Sequence, residues 1–324
     1  MFRELFTIPV LNLPIYGYGV MMVIGVLCAI VLGKFLARRV GVDPERIVDL
    51  GLIALFAGVI GARVSHVIEN WNDYFVPGQS LGTSLLAAIN IRAGGLTYYG
   101  GFLLGVPACI YYVRRHRIPT RLMMDIAAPC LMIGLAIGRI GCFLNGCCWG
   151  QECDAPWAVS FPYESPPYVE QFEQGKIKPP PSLFTHDIRT GEPMLLSRHD
   201  ALANPLTRDA ALNSRSLRVH PTQLYSTITA LLIAASCVTF FGIRKSAGLV
   251  FSLMLVMEGV GRFCIEMLRT NDPLFFKQTS FPITYSMSIG VGLIVAGMVT
   301  WFLFSKFGQP ILDNPAKFEP SSES

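Results

Sequence analysis

Apolar positions gather into seven long runs separated by polar stretches, near residues 16–37, 47–68, 95–113, 122–143, 222–243, 247–268 and 282–304. A hydrocarbon core takes about 20 apolar residues of α-helix, so each run is long enough to span. The loops set an orientation. Arg38, Arg39 and Arg46 follow the first run, Arg114, Arg115, Arg117 and Arg121 the third, and Arg244 and Lys245 the fifth. Cationic short loops stay cytoplasmic. The opposite loops are poorer, with Arg92 alone between runs two and three, and Arg269 and Lys277 between six and seven. The pattern predicts an all-α polytopic membrane protein of about seven transmembrane helices, N-terminus outside and C-terminus inside.

The pattern breaks once. Residues 151–219 are polar, carry Pro179-Pro180-Pro181 and hold no spanning run. This divides the chain into a membrane domain over 1–150 with spans one to four, an outer arm or small head over 151–219, a membrane domain over 220–305 with spans five to seven, and an inner tail over 306–324. The basic residues of the long insertion do not oppose this orientation, because long segments escape the charge rule. Met1 to Pro14 lacks the basic start, apolar stretch and small-residue site of a cleavable signal, so the first run is expected to remain as a span. No internal repeat is visible, which weighs against transporters built from inverted halves.

Composition agrees. The 324 residues are 52% apolar and 15% charged, against about 25% charged in an ordinary soluble domain. The formal charge of +4 is too modest to point to nucleic acid.

Depth then singles out polar residues. Gly138-Arg139-Ile140-Gly141-Cys142-Phe143-Leu144-Asn145-Gly146 ends the fourth run. A guanidinium in lipid is costly unless it faces a partner or a cavity. Glu258, Arg262, Glu266 and Arg269 in run six follow spacings that share one helical face. Arg63 and His66 sit near the outer end of run two. Tyr16 and Tyr18 open run one, Tyr98 and Tyr99 open run three, and His220 precedes run five. Interfacial tyrosines commonly form a belt, an end-lying Arg can snorkel, and Glu–Arg within one helix can be structural. Arg63, Arg139 and Arg262 at one depth call for an anion, and a lipid phosphate from the outer leaflet fits that charge. The glycines around them serve either close helix packing or backbone approach to a ligand.

Nine cysteines invite a metal or disulfide reading. Cys28, Cys109, Cys130, Cys237 and Cys264 stand singly in apolar runs, as small packing residues do. Cys142, Cys147, Cys148 and Cys153 cluster where a span meets a loop. They lack a standard C-x-x-C pair, a disulfide of Cys147 or Cys148 with Cys153 is conceivable, and inert replacement is the favoured reading. No metal and no cofactor is expected.

The segment Gly138-Arg139-Ile140-Gly141-x-Phe143-Leu144-Asn145-Gly146-x-x-Trp149-Gly150 resembles the signature of the prolipoprotein diacylglyceryl transferase family. His220-Pro221-Thr222-Gln223-Leu224-Tyr225, Gly61-Ala62-Arg63, Gly94-Gly95-Leu96-x-x-Tyr99-Gly100-Gly101 and Gly261-Arg262-x-x-x-Glu266-x-x-Arg269 resemble further motifs in the same order. The resemblance covers most of the chain and is weakest over 151–219. It implies a multi-pass bacterial inner-membrane enzyme with its site toward the periplasm. Such enzymes move diacylglyceryl from phosphatidylglycerol to the lipobox cysteine of a preprolipoprotein signal peptide, forming a thioether and glycerol phosphate. It implies catalytic Arg139, Arg262, Tyr99 and Glu266. It also implies phosphatidylglycerol contacts from Arg139, Arg262, Tyr18, Arg63, Asn145, Gly150, His220 and Arg269.

The chain departs from that family's pattern in places. Tyr99 stands where His is usual, Cys142 where Asn is usual, Cys147 where an acid is usual, and Ser226 where Glu is usual. A neutral tyrosine, with a pKa of about 10, is a poor base at neutral pH. Either Tyr99 only positions the phosphate, or the base lies elsewhere, such as Glu266 or Glu258. Two other classes compete: a membrane thiol oxidoreductase using the cysteine cluster, and an anion or lipid transporter using the arginines. A rhomboid-type protease is disfavoured, since no Gly-x-Ser with a partner His appears in the runs.

Overall fold

The computed structural model describes residues 4–8, 13–75, 80–90, 95, 97–186, 193–269, 274–276 and 283–308. Arg92, Gly94, Leu96, Lys277 and the tail beyond 308 lie outside the described residues.

Twelve helices are described: α1 (Gly17–Arg39), α2 (Pro44–Glu69), α3 (Trp71–Tyr74), α4 (Leu81–Ile89), α5 (Tyr98–Arg115), α6 (Thr120–Asn145), α7 (Pro166–Glu173), α8 (Arg198–Ala203), α9 (Pro205–Asn213), α10 (Thr222–Ile243), α11 (Leu249–Glu266) and α12 (Tyr285–Lys306). The seven long ones fall on the seven apolar runs. Local chemistry sets their ends. Asp43 caps α2 by accepting from the Glu45 N–H at 3.0 Å, with Pro44 in the first turn. Gly146 closes α6 at φ 77°, a conformation that favours glycine.

Among the described residues, α1, α2, α6, α10 and α12 are long and apolar enough to cross a membrane. The other two long helices, α5 and α11, have 18 residues each; α5 is the less apolar and ends in Arg114 and Arg115, and α11 carries three charged residues, Glu258, Arg262 and Glu266. Large apolar side chains such as Val31, Leu103 and Leu232 point outward, as they do against lipid. The fold is that of an all-α polytopic membrane protein.

Central in the bundle is α6, which packs on α1, α10 and α11; α2 joins α1 to α5, and α11 carries α12. Lipid is as apolar as leucine, so close packing rather than water exclusion holds such helices together. Glycines permit it. A Cβ on Gly61 would stand 2.3 Å from the Gly100 carbonyl oxygen across α2 and α5. One on Gly259 would stand 2.6 Å from the Gly290 oxygen across α11 and α12. These glycines serve helix contact.

One end of the bundle is an apolar core built on Leu36, Val113, Ile126, Ile233, Phe241 and Val250. Inside it, buried Asp125 accepts from the N–H groups of Gly248, Val250 and Phe251 at 2.8, 2.9 and 3.1 Å, and pairs with Arg244 at 3.0 Å. The opposite end carries the segment 151–219. It is a small head with a separate core of Tyr163, Tyr168, Leu183, Ala201 and Ala211. Two strands, β1 (Phe184–His186) and β2 (Pro193–Leu195), pair antiparallel in it. The Val159–Val219 bridge brings its two ends together.

Candidate functional site

The loop leaving α6 is knitted to the start of α10. Buried Thr222 and Gln223 donate to the carbonyls of Cys148 and Cys147, each at 2.7 Å. The Gly150 N–H donates to the His220 oxygen at 3.0 Å, and Gln151 N–H to the Leu268 oxygen at 2.8 Å. A Cβ on Gly150 would lie 2.6 Å from that Leu268 oxygen and 2.7 Å from Thr222 Cγ2. Gly150 is therefore a close-approach residue where three segments meet. The end of the signature segment and the His220–Tyr225 motif form one structural unit here.

Beside this knot lies a narrow cleft with a volume of about 40 Å³. Leu135 and Arg139 of α6 form one wall and Cys148 the rim; Thr222, Ser226 and Thr229 come from α10. Glu258, Gly261, Arg262, Ile265 and Glu266 of α11, with Arg269 beyond it, form the other wall. Three of the predicted arginines thus share one cavity.

Their partners differ. Glu266, 3% exposed, accepts from Arg269 Nη1 at 3.3 Å and from the Thr284 hydroxyl at 3.4 Å. Arg139, Glu258 and Arg262 make no hydrogen bond or ion pair among the described residues, although Glu258 lies in the field of both arginines. The Nε atoms of Arg262 and Arg269 are buried without partners. Buried donors of this kind are costly unless an acceptor arrives. Chemically, the cleft is suited to an anion, and of its two carboxylates Glu258 is the one without a hydrogen bond among the described residues and able to take a proton.

The remaining predicted residues are placed differently. Arg63 is 6% exposed and does not line the cleft. It donates to the carbonyls of Ala88, Gly95 and Ala87 at 2.6, 2.9 and 2.9 Å, tying α4 to α2. The expected trio of Arg63, Arg139 and Arg262 is not brought together, because Arg63 is engaged by backbone. Tyr99 is 64% exposed and also off the cleft. Tyr18 sits within the field of Arg139 and of three cysteines. Asn145 lies beside the Cys147 thiol. His220 Nδ1 meets the Tyr225 hydroxyl at 3.2 Å, and Trp157 Nε1 donates to the same oxygen at 2.7 Å.

Sequence reasoning did not select Thr222, Thr229 or Cys148 as site residues. The first two, with Ser226, follow helical spacing on α10, a signal that could have found them. All nine cysteines are free thiols. The sulfurs of Cys142, Cys147 and Cys148 lie within 4.8 Å of one another, and Cys153 is not part of that group. Cys148 has φ 60°, a left-handed conformation that costs a residue with a Cβ about 1–2 kcal/mol.

Fold and cleft together define a class: a polytopic helical membrane protein with an anion-receptive cleft at the end of the bundle that carries the head. A family profile described as Prolipoprotein diacylglyceryl transferase matches residues 4–303. The chain is 29% identical over 262 residues to the phosphatidylglycerol–prolipoprotein diacylglyceryl transferase of Corynebacterium diphtheriae, covering 80% of this chain and 79% of that protein. It is 26% identical to the enzyme of that name from Finegoldia magna, covering 92% and 94%. With the namesake from Rhodopirellula baltica it shares 35% identity over 162 residues, 50% of this chain and 32% of that longer protein. The chain belongs to the prolipoprotein diacylglyceryl transferase family. It is a membrane transferase of lipoprotein biosynthesis.

Proposed function

We propose that this protein transfers diacylglyceryl from phosphatidylglycerol to the lipobox cysteine thiol of preprolipoproteins, at the periplasmic side of a bacterial inner membrane. The observation that carries the reading is the facing of Arg139 and Arg262, without partners among the described residues, across one cleft. A lipid phosphate supplies the acceptors that these half-buried guanidiniums, among them the buried Nε of Arg262, need.

In this reading the substrate thiolate attacks the glycerol carbon bearing the phosphate ester. The C–O bond breaks and negative charge grows on the departing phosphate. Arg139 and Arg262, already oriented, stabilise that charge without reorganising. Arg269, fixed by Glu266, sits on the same wall and extends the positive field. Glu258 takes the thiol proton, since Glu266 is engaged and Tyr99 is off the cleft. Tyr18 and Asn145 flank the phosphate end, while Arg63 and Gly150 act outside the lining, Arg63 by holding the α4 carbonyls and Gly150 by its close approach to Leu268 and Thr222. His220, through Tyr225 and Trp157, links the cleft edge to the head.

The topology belongs to the same proposal: seven spans, N-terminus outside, C-terminus inside, and 151–219 in the periplasm. The test is an assay in membranes with labelled phosphatidylglycerol and a lipobox peptide. A thioether product with equal release of glycerol phosphate is expected. Absence of both with the unmodified protein would sink the reading.

A further inference from the structure

Three thiols converge beside the cleft where sequence reasoning saw inert replacements. Cys142 opens the last turn of α6, and Cys147 and Cys148 follow it in the loop. Their sulfurs lie within 4.8 Å of one another. Tetrahedral zinc with Zn–S bonds of about 2.3 Å needs sulfurs roughly 3.8 Å apart, so a small inward movement completes a site. The loop is already posed for it. Cys148 holds φ 60°, and the side chains of Thr222 and Gln223 grip the carbonyls on both sides of the turn. Thiolate sulfur selects soft cations, zinc and copper(I) among them.

Only one of the three, Cys148, lines the cleft. Three protein ligands leave the fourth zinc position open, and the cleft is the open side. Arg139 and Arg269 stand within the field of Cys148 and offset the negative charge of a zinc held by three thiolates. We propose that Cys142, Cys147 and Cys148 bind Zn²⁺ and that its fourth position receives the substrate thiol as a thiolate. This rests on the transfer reaction proposed above and supplies its nucleophile. A thiol bound to zinc is deprotonated outright.

The step balances. The incoming thiol gives its proton to Glu258 and then to solvent. Its sulfur lone pair forms the C–S bond, and the C–O bond breaks with its electrons leaving on the phosphate oxygen. Zinc keeps its oxidation state throughout.

The test uses the full chain purified in detergent under reducing conditions and loaded with Zn²⁺ or Co²⁺. Metal analysis should find about one Zn²⁺ per chain, and Co²⁺ should give a thiolate-to-metal charge-transfer band. Cys142→Ser and Cys147→Ser, each checked for folding by circular dichroism, should weaken binding at least about tenfold. Cys153→Ser should change neither binding nor transfer. A missing band, a band that persists in the Cys142→Ser/Cys147→Ser double variant, or a disulfide within the trio in protein purified without reductant would overturn the site. Chelation should slow transfer at least about tenfold, and Zn²⁺ should restore it. Undiminished transfer after chelation would overturn the delivery of thiolate. Arg262→Ala, which removes a cleft arginine that does not act on Cys148, should bind Co²⁺ normally yet lose about 10²–10³-fold in transfer, which separates the metal site from the phosphate site. A wild-type protein that binds Co²⁺ but never transfers would sink the transfer reaction, and thiolate delivery with it, while leaving the metal site standing.

Discussion

Arg269 Nη1 donates to Glu266 Oε2 at 3.3 Å, while Arg262 and Glu258, one and two turns earlier on the same face, stay unbonded among the described residues. The first pair is structural support for the cleft wall. Removing one member of a buried pair leaves a charge uncompensated, at a cost of about 3–5 kcal/mol. Glu266→Ala should therefore lower the thermal midpoint and the yield of folded protein. Glu266→Gln, which keeps an acceptor for Thr284 and Arg269, should retain most stability and lose transfer less than Glu258→Gln does. Thermal unfolding in detergent, set beside kcat for each variant, checks the split.

Arg139 and Arg262 should behave in the opposite way. Neither has a protein partner to lose among the described residues, so Arg139→Ala and Arg262→Ala should fold with near-wild-type stability. Each should lose about 10²–10³-fold in kcat, the scale for deleting one preorganised donor at a developing anion. Lysine at either position restores charge but not the planar fork, so recovery should be partial. Equal activity in Arg139→Ala refutes its role.

Much of this fold is legible in the sequence because lipid leaves few options. Apolar runs must become helices, and the seven long helices begin and end within about three residues of the expected bounds. Arg139, Arg262, Glu266 and Arg269 reach one cleft because helical spacing on two runs determines their faces. Arg63 shows where depth alone misleads. It lies where expected along α2, but carbonyls of a short helix that no apolar run announces absorb its donors. Arg244 likewise reads as a loop cation, yet it is buried against Asp125, a pairing across about 120 residues that no local pattern encodes. The cysteine trio depends on a left-handed turn at a non-glycine residue, which is equally silent in sequence.

The Asp125–Arg244 pair makes a separate stability prediction far from the cleft. Asp125 serves the first N–H groups of α11 as well as Arg244, so one side chain satisfies a helix end and a buried charge. Asp125→Ala should cost about 3–5 kcal/mol. Asp125→Asn should cost less, because an amide oxygen still accepts from the backbone. Both should leave the KM for phosphatidylglycerol unchanged in whatever folded fraction survives. A raised KM in folded Asp125→Asn contradicts this account.

The head should carry a distinct alkaline transition. Tyr163 is 1% exposed and donates to the carbonyls of Leu196 and Leu183 at 2.7 and 3.3 Å. Burial first, then the charges of Glu164 and Tyr168, push its hydroxyl up to about 12. In the unfolded chain a tyrosine ionises near pH 10. Below that pH both states hold the proton and the head keeps its full stability. Between about pH 10 and 12 the unfolded state releases a proton that the folded state retains, so stability falls as pH rises. Near-ultraviolet circular dichroism across that window should report loss of the tyrosine packing. Tyr163→Phe should remove the pH-dependent step while lowering stability at neutral pH by about 1–3 kcal/mol, since two buried carbonyls lose their donor. An identical alkaline step in Tyr163→Phe would place the titration on another group.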